Sequence, residues 1–221
     1  MPISDKYKII FIHIPKTAGT SIESFFEMTQ PENLCFYRWD RDQRDFLKKI
    51  NHLNYSSKIN YEPQHYPLEI LKKLIIDYDQ YFKFSFVRNP YTKLLSEYYW
   101  HHNKQIQSVE EFDPNEFQNW CVTYLSILDN SHKEPQINFI DDSINFVGKY
   151  ENIQIDFELL KDKLIAFSPQ FNRIKNIELP YMNATGLNKE LLIQYLLPET
   201  KQLIFNLYKS DFIEFSYSNE L

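Results

Sequence analysis

Residues 7–21 read YKIIFIHIPKTAGTS, and this stretch decides the fold. Its first part, residues 7–14, is rich in β-branched and aromatic side chains, which predicts a buried strand. Pro15 ends the strand, and a helix is expected to begin near Thr20 or Ser21, where a hydroxyl can cap it. A strand, a short loop and a helix form the unit from which parallel α/β sheets are built.

The loop between this strand and this helix has the composition of an anion site. Lys16 brings a full positive charge, and Gly19 lets the backbone approach an anion without a side chain in the way. The first N–H groups of a helix lack internal partners and carry the positive end of its dipole, so they bind phosphate or sulfate. We therefore expect an anion to contact the whole loop, namely Lys16, Thr17, Ala18, Gly19, Thr20 and Ser21.

This loop differs from a Walker A loop, in which the lysine follows the last glycine of GxxxxGK[ST]. Here Lys16 precedes Gly19, and the loop has no second glycine. The residues alone leave two interpretations open. One is an anion site, and the other is an ordinary helix start capped by Thr20 or Ser21.

A second junction between a strand and a helix lies in FSFVRNPYTKLLSEYYW, residues 84–100. Residues 81–87 alternate as a strand does, and Asn89-Pro90 turns the chain into a helix. Arg88 ends the strand, and Ser96 follows about two turns into the helix. An arginine fork with a nearby hydroxyl suits a phosphate monoester. A surface arginine and an unrelated helix serine are the alternative.

Both junctions resemble the sulfotransferases. FIHIPKTAGTS is similar to the 5′-phosphosulfate-binding loop of the family that includes heparan sulfate 2-O-sulfotransferase and the chondroitin 4-O-sulfotransferases, and FVRNPYTKLLSEY is similar to its 3′-phosphate-binding segment. The resemblance implies a donor, 3′-phosphoadenosine 5′-phosphosulfate. It also implies that Lys16 binds and acts catalytically on the leaving-group side of the sulfate, and that Arg88 and Ser96 hold the 3′-phosphate.

Other parts of the chain are less sharply similar to this family. Residues 145–160 (NFVGKYENIQIDFELL) resemble a later strand and helix, and 179–185 (LPYMNAT) resemble a further segment. Family members often have arginine where this chain has Lys93, so Lys93 receives no role. Gly148 and Tyr150 are placed near the adenosine without a firm assignment.

Sulfuryl transfer to a hydroxyl needs a base, because the acceptor must lose its proton. The resemblance indicates His65, within YEPQHYP, since family members carry a histidine at a comparable place that is thought to act as base. His13, at the end of the first strand, and His52 are rivals. Glu23 is an outside candidate, because its charge opposes an anionic donor. The chain has six histidines: His13, His52, His65, His101, His102 and His132.

The wider pattern predicts one domain over residues 1–221, an α/β P-loop-like three-layer sandwich with a central parallel sheet flanked by helices. Strands are expected at 7–14, 81–87 and 144–149, and helices at 41–50, 67–77, 91–102, 114–128, 152–164, 188–195 and 198–210. In such sheets ligands bind beyond the carboxyl ends of the strands.

Charge and composition limit the kinds of molecule that the protein is expected to bind. The formal net charge is −6, which argues against non-specific nucleic-acid binding. Residues 1–104, which hold both junctions, have 15 Lys and Arg against 12 Asp and Glu, and this balance suits an anionic ligand. Cys35 and Cys121 are expected to be buried thiols in a reducing compartment.

From these observations we expect a cytoplasmic, soluble enzyme without a signal peptide or a membrane span. Its acceptor is expected to be a small molecule or a glycan, and no metal is implied. The sequence leaves the oligomeric state open. Two alternatives remain: a P-loop kinase or nucleotide hydrolase, weakened by the missing GK[ST] and the lack of an hhhhD strand, and a non-catalytic nucleotide-binding module.

Overall fold

The computed structural model describes residues 3–4, 7–28, 63–75, 77–103, 106–126, 130–180 and 187–219. Their strands form one four-stranded sheet in chain order, with β2, β3 and β4 parallel. The first strand pairs antiparallel with β2 at the edge, which was not predicted. The predicted α/β class with a parallel central sheet is confirmed. The strands are β1 (Ile3–Ser4), β2 (Ile9–Ile12), β3 (Phe82–Val87) and β4 (Phe146–Lys149).

Helices occupy most of the predicted positions, with ends that differ by a few residues. The predicted helix at 188–195 is instead a 3₁₀ segment, Lys189–Tyr195. Three helices carry proline at their first position, where its missing N–H costs nothing. The described helices are α1 (Gly19–Phe25), α2 (Leu68–Leu74), α3 (Pro90–His101), α4 (Pro114–Leu125), α5 (Ile153–Phe167) and α6 (Pro198–Glu214).

The central strand β3 is buried along its whole length, because apolar layers cover both faces of the sheet. One layer packs α2 against the sheet through Leu68 and Leu71. The opposite layer packs α1 and α5 through Ile22, Phe157 and Leu160. Two helical layers around one sheet are the three-layer arrangement expected of a parallel α/β domain.

A third apolar cluster lies among α3, α4, the 3₁₀ segment Lys189–Tyr195 and α6. Its most enclosed side chains include Tyr91, Leu95 and Phe117. This packing fixes α3 beside the edge of the sheet, and with it the residues at the start of α3 and on its exposed face.

Several predictions fall outside the described residues: the helix at 41–50, the rival base His52, the buried Cys35 and most of 179–185. Cys121 is fully buried, as predicted. Among the helices that the structure describes, none combines the length and the apolar character needed to cross a membrane.

Candidate functional site

The two junctions meet at one edge of the sheet. Strands β2 and β3 run parallel in register, with Ile12 beside Ser85, so their carboxyl ends lie together. The Nη1 atom of Arg88 donates to the main-chain oxygen of Lys16 at 3.2 Å. The loop after β2 and the residue after β3 therefore form one site, at the edge where ligands of parallel sheets bind.

The loop after β2 holds two residues in the left-handed region. Lys16 has φ 67° and Ala18 has φ 72°. Helix α1 begins at Gly19 with Ala18 as its N-cap, and no side chain caps it. The helix therefore begins near the predicted Thr20 or Ser21, but neither of these residues caps it, contrary to expectation. A non-glycine residue in this region costs conformational energy, and such residues cluster at ligand sites. When left-handed residues alternate with right-handed ones, successive main-chain N–H groups can point toward one anion.

The hydroxyl groups of the loop are not equivalent. Thr17 is fully buried, and its Oγ1 donates to the main-chain oxygen of Ile14 at 2.9 Å. Its hydroxyl hydrogen therefore shapes the loop instead of facing a ligand. Ser21 is also buried, whereas Thr20 is partly exposed.

Glycine is required at position 19 for a steric reason that the sequence did not predict. A Cβ atom on Gly19 would lie 1.9 Å from Nε2 of His13. The His13 ring is fixed there by a hydrogen bond of 2.5 Å between its Nδ1 and Oε1 of Glu23, and Gln64 donates to the same oxygen at 3.1 Å. His13 and Glu23, both weighed as bases, thus form a buried pair beneath the loop.

Lys16 reaches across the loop toward α3. Its Nζ lies 5.1 Å from the centroid of the Trp100 ring. The pKa of Lys16 is lowered to about 8, mainly by burial; the charge of Glu97 opposes this shift, and the charges of Arg88 and Lys93 contribute to it. A bound anion would reverse this shift, because it stabilises the protonated amine.

Both the main-chain N–H and the main-chain carbonyl of Arg88 are hydrogen-bonded to one side chain. Its N–H donates to Oε1 of Gln136 at 2.8 Å, and Nε2 of Gln136 donates back to the Arg88 oxygen at 2.7 Å. The Arg88 side chain donates from Nε to Thr92 at 3.0 Å and stacks 3.9 Å from the centroid of the Tyr150 ring. The main-chain N–H of Gln136 donates to Asp211, which anchors this clamp on α6.

A further cation, Lys189, enters the site from the 3₁₀ segment Lys189–Tyr195. Its Nζ lies 5.6 Å from the centroid of the Tyr99 ring, and Tyr99 follows Ser96 by one helical turn on α3. The pKa of Lys189 is lowered to about 8, mainly by burial and also by the charges of Arg88 and Lys16. The sequence did not single out Lys189, because a lone lysine in a helical stretch carries no motif.

His65 closes a 3₁₀ turn, Pro63–His65, beneath the loop. Its Nδ1 donates to the main-chain oxygen of His13 at 2.7 Å. A carbonyl oxygen only accepts, so Nδ1 carries the proton and Nε2 is left as an acceptor. Burial holds the pKa of His65 well below its usual value, and the neighbouring His13 and His132 lower it further. His65 is therefore neutral at neutral pH.

The sequence also missed a pair formed by the partly exposed His132 and the buried Glu97. Nδ1 of His132 lies 2.9 and 3.1 Å from the two carboxylate oxygens of Glu97, which also accepts a hydrogen bond from Tyr124 at 3.2 Å. Burial raises the pKa of Glu97, but the hydrogen bond from His132 and the nearby charges of His132, Lys16 and Lys93 outweigh it, and the pKa is lowered. Lys93, left without a role, donates to the His132 main-chain oxygen at 2.7 Å.

The remaining histidines lie at the end of α3. His102 is exposed and its Nδ1 bonds to the Tyr98 oxygen, whereas His101 lies 3.5 Å from Glu97. Within the described parts of the chain, no group of three or more His, Cys, Asp or Glu side chains is arranged to hold a metal ion.

A protein-family model described as "Sulfotransferase family" matches residues 1–218. The chain belongs to the sulfotransferase family. The match spans both junctions and confirms the resemblance that they carry. No curated protein and no solved structure gives a significant match to the chain. Family membership favours sulfuryl transfer over the P-loop kinase and hydrolase alternatives, and this sulfotransferase is accordingly a transferase.

Proposed function

We propose that this sulfotransferase takes the sulfuryl group from 3′-phosphoadenosine 5′-phosphosulfate and transfers it to a hydroxyl of an acceptor, in the first instance a carbohydrate. One observation carries the proposal: Lys16, Arg88 and Lys189 converge at the carboxyl ends of adjacent parallel strands, and burial and mutual repulsion lower the pKa values of both lysines. A strongly anionic ligand would favour the charged form of both lysines, so the cluster suits such a ligand.

The site fits a ligand with two separate anionic ends. The loop from Lys16 to Ser21 would hold the 5′-phosphosulfate through main-chain N–H groups and the Lys16 amine. Arg88 and Ser96 would hold the 3′-phosphate, with the Arg88 fork oriented by Thr92 and Tyr150. The donor in this proposal has an anionic group at each of these positions, whereas ATP lacks the 3′-phosphate.

The donor, when bound, supplies an activated sulfuryl group whose departure leaves adenosine 3′,5′-bisphosphate. Transfers of this kind have loose transition states, so positioning and charge neutralisation dominate. Lys16 would place its charge on the leaving side. His65 would accept the proton of the acceptor hydroxyl at Nε2, because its Nδ1 proton is already engaged by the His13 carbonyl.

The carbohydrate acceptor rests on the resemblance of the two junctions to the heparan and chondroitin sulfotransferases. The exposed Trp100 ring, next to Lys16, offers a flat apolar surface of the kind on which a sugar face stacks. A small alcohol is the alternative acceptor.

Thermal-shift titration tests the donor. Adenosine 3′,5′-bisphosphate should stabilise the protein at lower concentration than ATP with magnesium. The Lys16→Ala variant should lose much of this stabilisation, whereas Lys72→Ala, at an exposed lysine of α2, should keep it. A preference for ATP with magnesium would contradict the proposal.

A turnover assay tests the acceptor. The readout is release of adenosine 3′,5′-bisphosphate from the donor in the presence of desulfated heparan and chondroitin oligosaccharides, simple sugars and small alcohols, with transfer confirmed by mass. Donor binding without transfer to any member of this panel would favour a non-catalytic nucleotide-binding module.

A further inference from the structure

His65 lies between two histidine–carboxylate pairs. On one side, its ring centroid is 4.8 Å from that of His13, whose Nδ1 bonds to Glu23. On the other side, its ring centroid is 5.2 Å from that of His132, whose Nδ1 bonds to Glu97. Both neighbouring rings meet the His65 ring nearly edge-on, at 76° and 84°.

A proton taken up by His65 is poorly held there. The side chain is buried, and the neighbouring His13 and His132 disfavour a positive charge on it. Its Nδ1 proton is engaged by the His13 carbonyl, so the added proton at Nε2 has to leave through that same atom. A base in this position works repeatedly only if a second group takes the proton onward.

The two pairs differ in their access to solvent. The His13 side chain is 8% exposed and packs against Gly19 under the loop. The His132 side chain is 20% exposed. It stacks on Trp100 with centroids 5.6 Å apart, and the Trp100 side chain is one of the exposed large apolar groups. Because Lys16 contacts the same indole, the His132 pair lies beside the proposed transfer site and opens to water.

We propose that His132, oriented by Glu97, receives the acceptor proton from His65 and releases it to solvent. This inference rests on the proposed function. The proton moves from Nε2 of His65 to Nε2 of His132, directly or through one water, while Nδ1–H of His132 stays on Glu97. The carboxylate balances the charge that develops on the ring, as in other histidine–carboxylate pairs. No electrons are exchanged, and the proton then passes to bulk water.

The titratable and charged groups around His132 come from three elements. Glu97 of α3 bonds to its ring, and the His65 ring of the 3₁₀ turn meets it edge-on. His101 of α3 lies beside Glu97, Lys16 of the loop after β2 contacts the Trp100 ring that stacks on His132, and Lys93 of α3 donates to its main-chain oxygen. Only Glu97 among them contacts the imidazole nitrogen with a negative charge. Removal of the Glu97 charge should therefore act on proton transfer through His132.

The test compares His132→Asn with His102→Asn, an exposed histidine just after α3. With the best acceptor of the panel, or with water as acceptor, His132→Asn should lower turnover by about a hundredfold, the lower end of the range for one general-base group. Its affinity for adenosine 3′,5′-bisphosphate and its melting temperature should stay near those of the wild type. Added imidazole should restore part of the turnover, because the vacated position is reached from solvent. His102→Asn should behave as wild type.

Glu97→Gln provides a second variant, because glutamine keeps the shape and removes the charge. Turnover should fall, because the His132 ring loses the carboxylate that orients it and balances the charge that develops on it.

Three outcomes would overturn the inference. Turnover of His132→Asn within about twofold of wild type, while His65→Asn is inactive, would leave the proposed function intact and remove the relay. Lost turnover without any rescue by imidazole would assign His132 a structural role. A wild-type protein that transfers no sulfuryl group would contradict the proposed function, and this inference with it.

Discussion

Arg88 donates a hydrogen bond from Nη1 to the main-chain oxygen of Lys16, at 3.2 Å, and so joins two segments that lie 72 residues apart in the chain. Arg88 is therefore placed both to bind an anion and to support the loop that carries Lys16. The same guanidinium bonds to Thr92 and stacks on Tyr150, which leaves its orientation little freedom. Loss of the Arg88 side chain should therefore weaken binding of the 3′-phosphate of a nucleotide more than binding of its 5′ end.

The Arg88→Ala variant should bind adenosine 3′,5′-bisphosphate more weakly by about 2–4 kcal/mol, the scale for removing one side of a charge-assisted pair. Adenosine 5′-phosphosulfate lacks the 3′-phosphate, so its affinity should fall much less, by the loss of loop support alone. Titration calorimetry with both ligands measures the difference. Ser96→Ala should show the same selectivity with a smaller loss, and equal losses for both ligands would remove the 3′-phosphate assignment.

The Lys16→Ala variant should fold normally and lose turnover by about two orders of magnitude or more, in line with the loss of one preorganised charge at the leaving group. Lys16 is partly exposed and contacts Trp100 at the surface, so its removal leaves no buried cavity. Steady-state turnover and thermal melting are measured together. A folded variant with near-normal turnover would refute the catalytic role of Lys16.

Donor binding should weaken as the pH rises through about 8, because Lys16 and Lys189 each have a pKa of about 8 in the free protein. Below that pH both amines are charged and available to the anion. Above it, binding must first protonate them, so the affinity falls and protons are taken up. Calorimetry of adenosine 3′,5′-bisphosphate in buffers of different ionisation enthalpy measures this uptake.

The Lys16→Arg variant serves as the control for this pH dependence. Arginine stays charged across this range, so the variant should show a smaller proton uptake than the wild type near pH 8 to 9, with Lys189 supplying the remainder. A dissociation constant that does not change between pH 7 and pH 9 in the wild type would contradict the prediction.

The Gly19→Ala variant should be destabilised by about 1–3 kcal/mol, as expected for overpacking, because its Cβ would meet the His13 ring at 1.9 Å. The double variant with His13→Ala should recover part of this loss, since the second change removes the ring that the Cβ meets. Chemical denaturation of the two single variants and the double variant measures the coupling. Additive free energies would show that the His13 ring is not the obstacle.

The His65→Asn variant should lose most of its turnover and still bind adenosine 3′,5′-bisphosphate, because His65 handles the acceptor's proton. The rivals His13 and His52 are replaced in the same way and assayed on the same acceptor. His13→Asn should act mainly on stability and loop geometry, since His13 bonds to Glu23 beneath the loop. If one rival abolishes turnover with binding intact and His65→Asn does not, the base has been misassigned.

The local pattern of the chain was sufficient for the architecture around the site. A β-rich run ending at Pro15, and a second ending at Arg88, predicted two strands followed by helices, and the structure places these strands side by side and parallel. The roles of Lys16 and Arg88 as anion ligands were predicted from the resemblance of the two junctions to the family. That they lie close together was predictable because each follows a strand, and parallel strands bring their carboxyl ends to one edge. The edge strand β1 was missed because two residues carry no detectable period.

The sequence by itself determined the alternation of strands and helices, the loop with its lysine and the arginine that follows β3, since these depend on residues that are neighbours in the chain. Only the tertiary structure decided the surroundings of His65, the entry of Lys189 and the pairing of Glu97 with His132, which are separated by 35 residues. Those contacts depend on how α3 and the segments around it pack, and packing between distant segments leaves no periodic signal in the sequence.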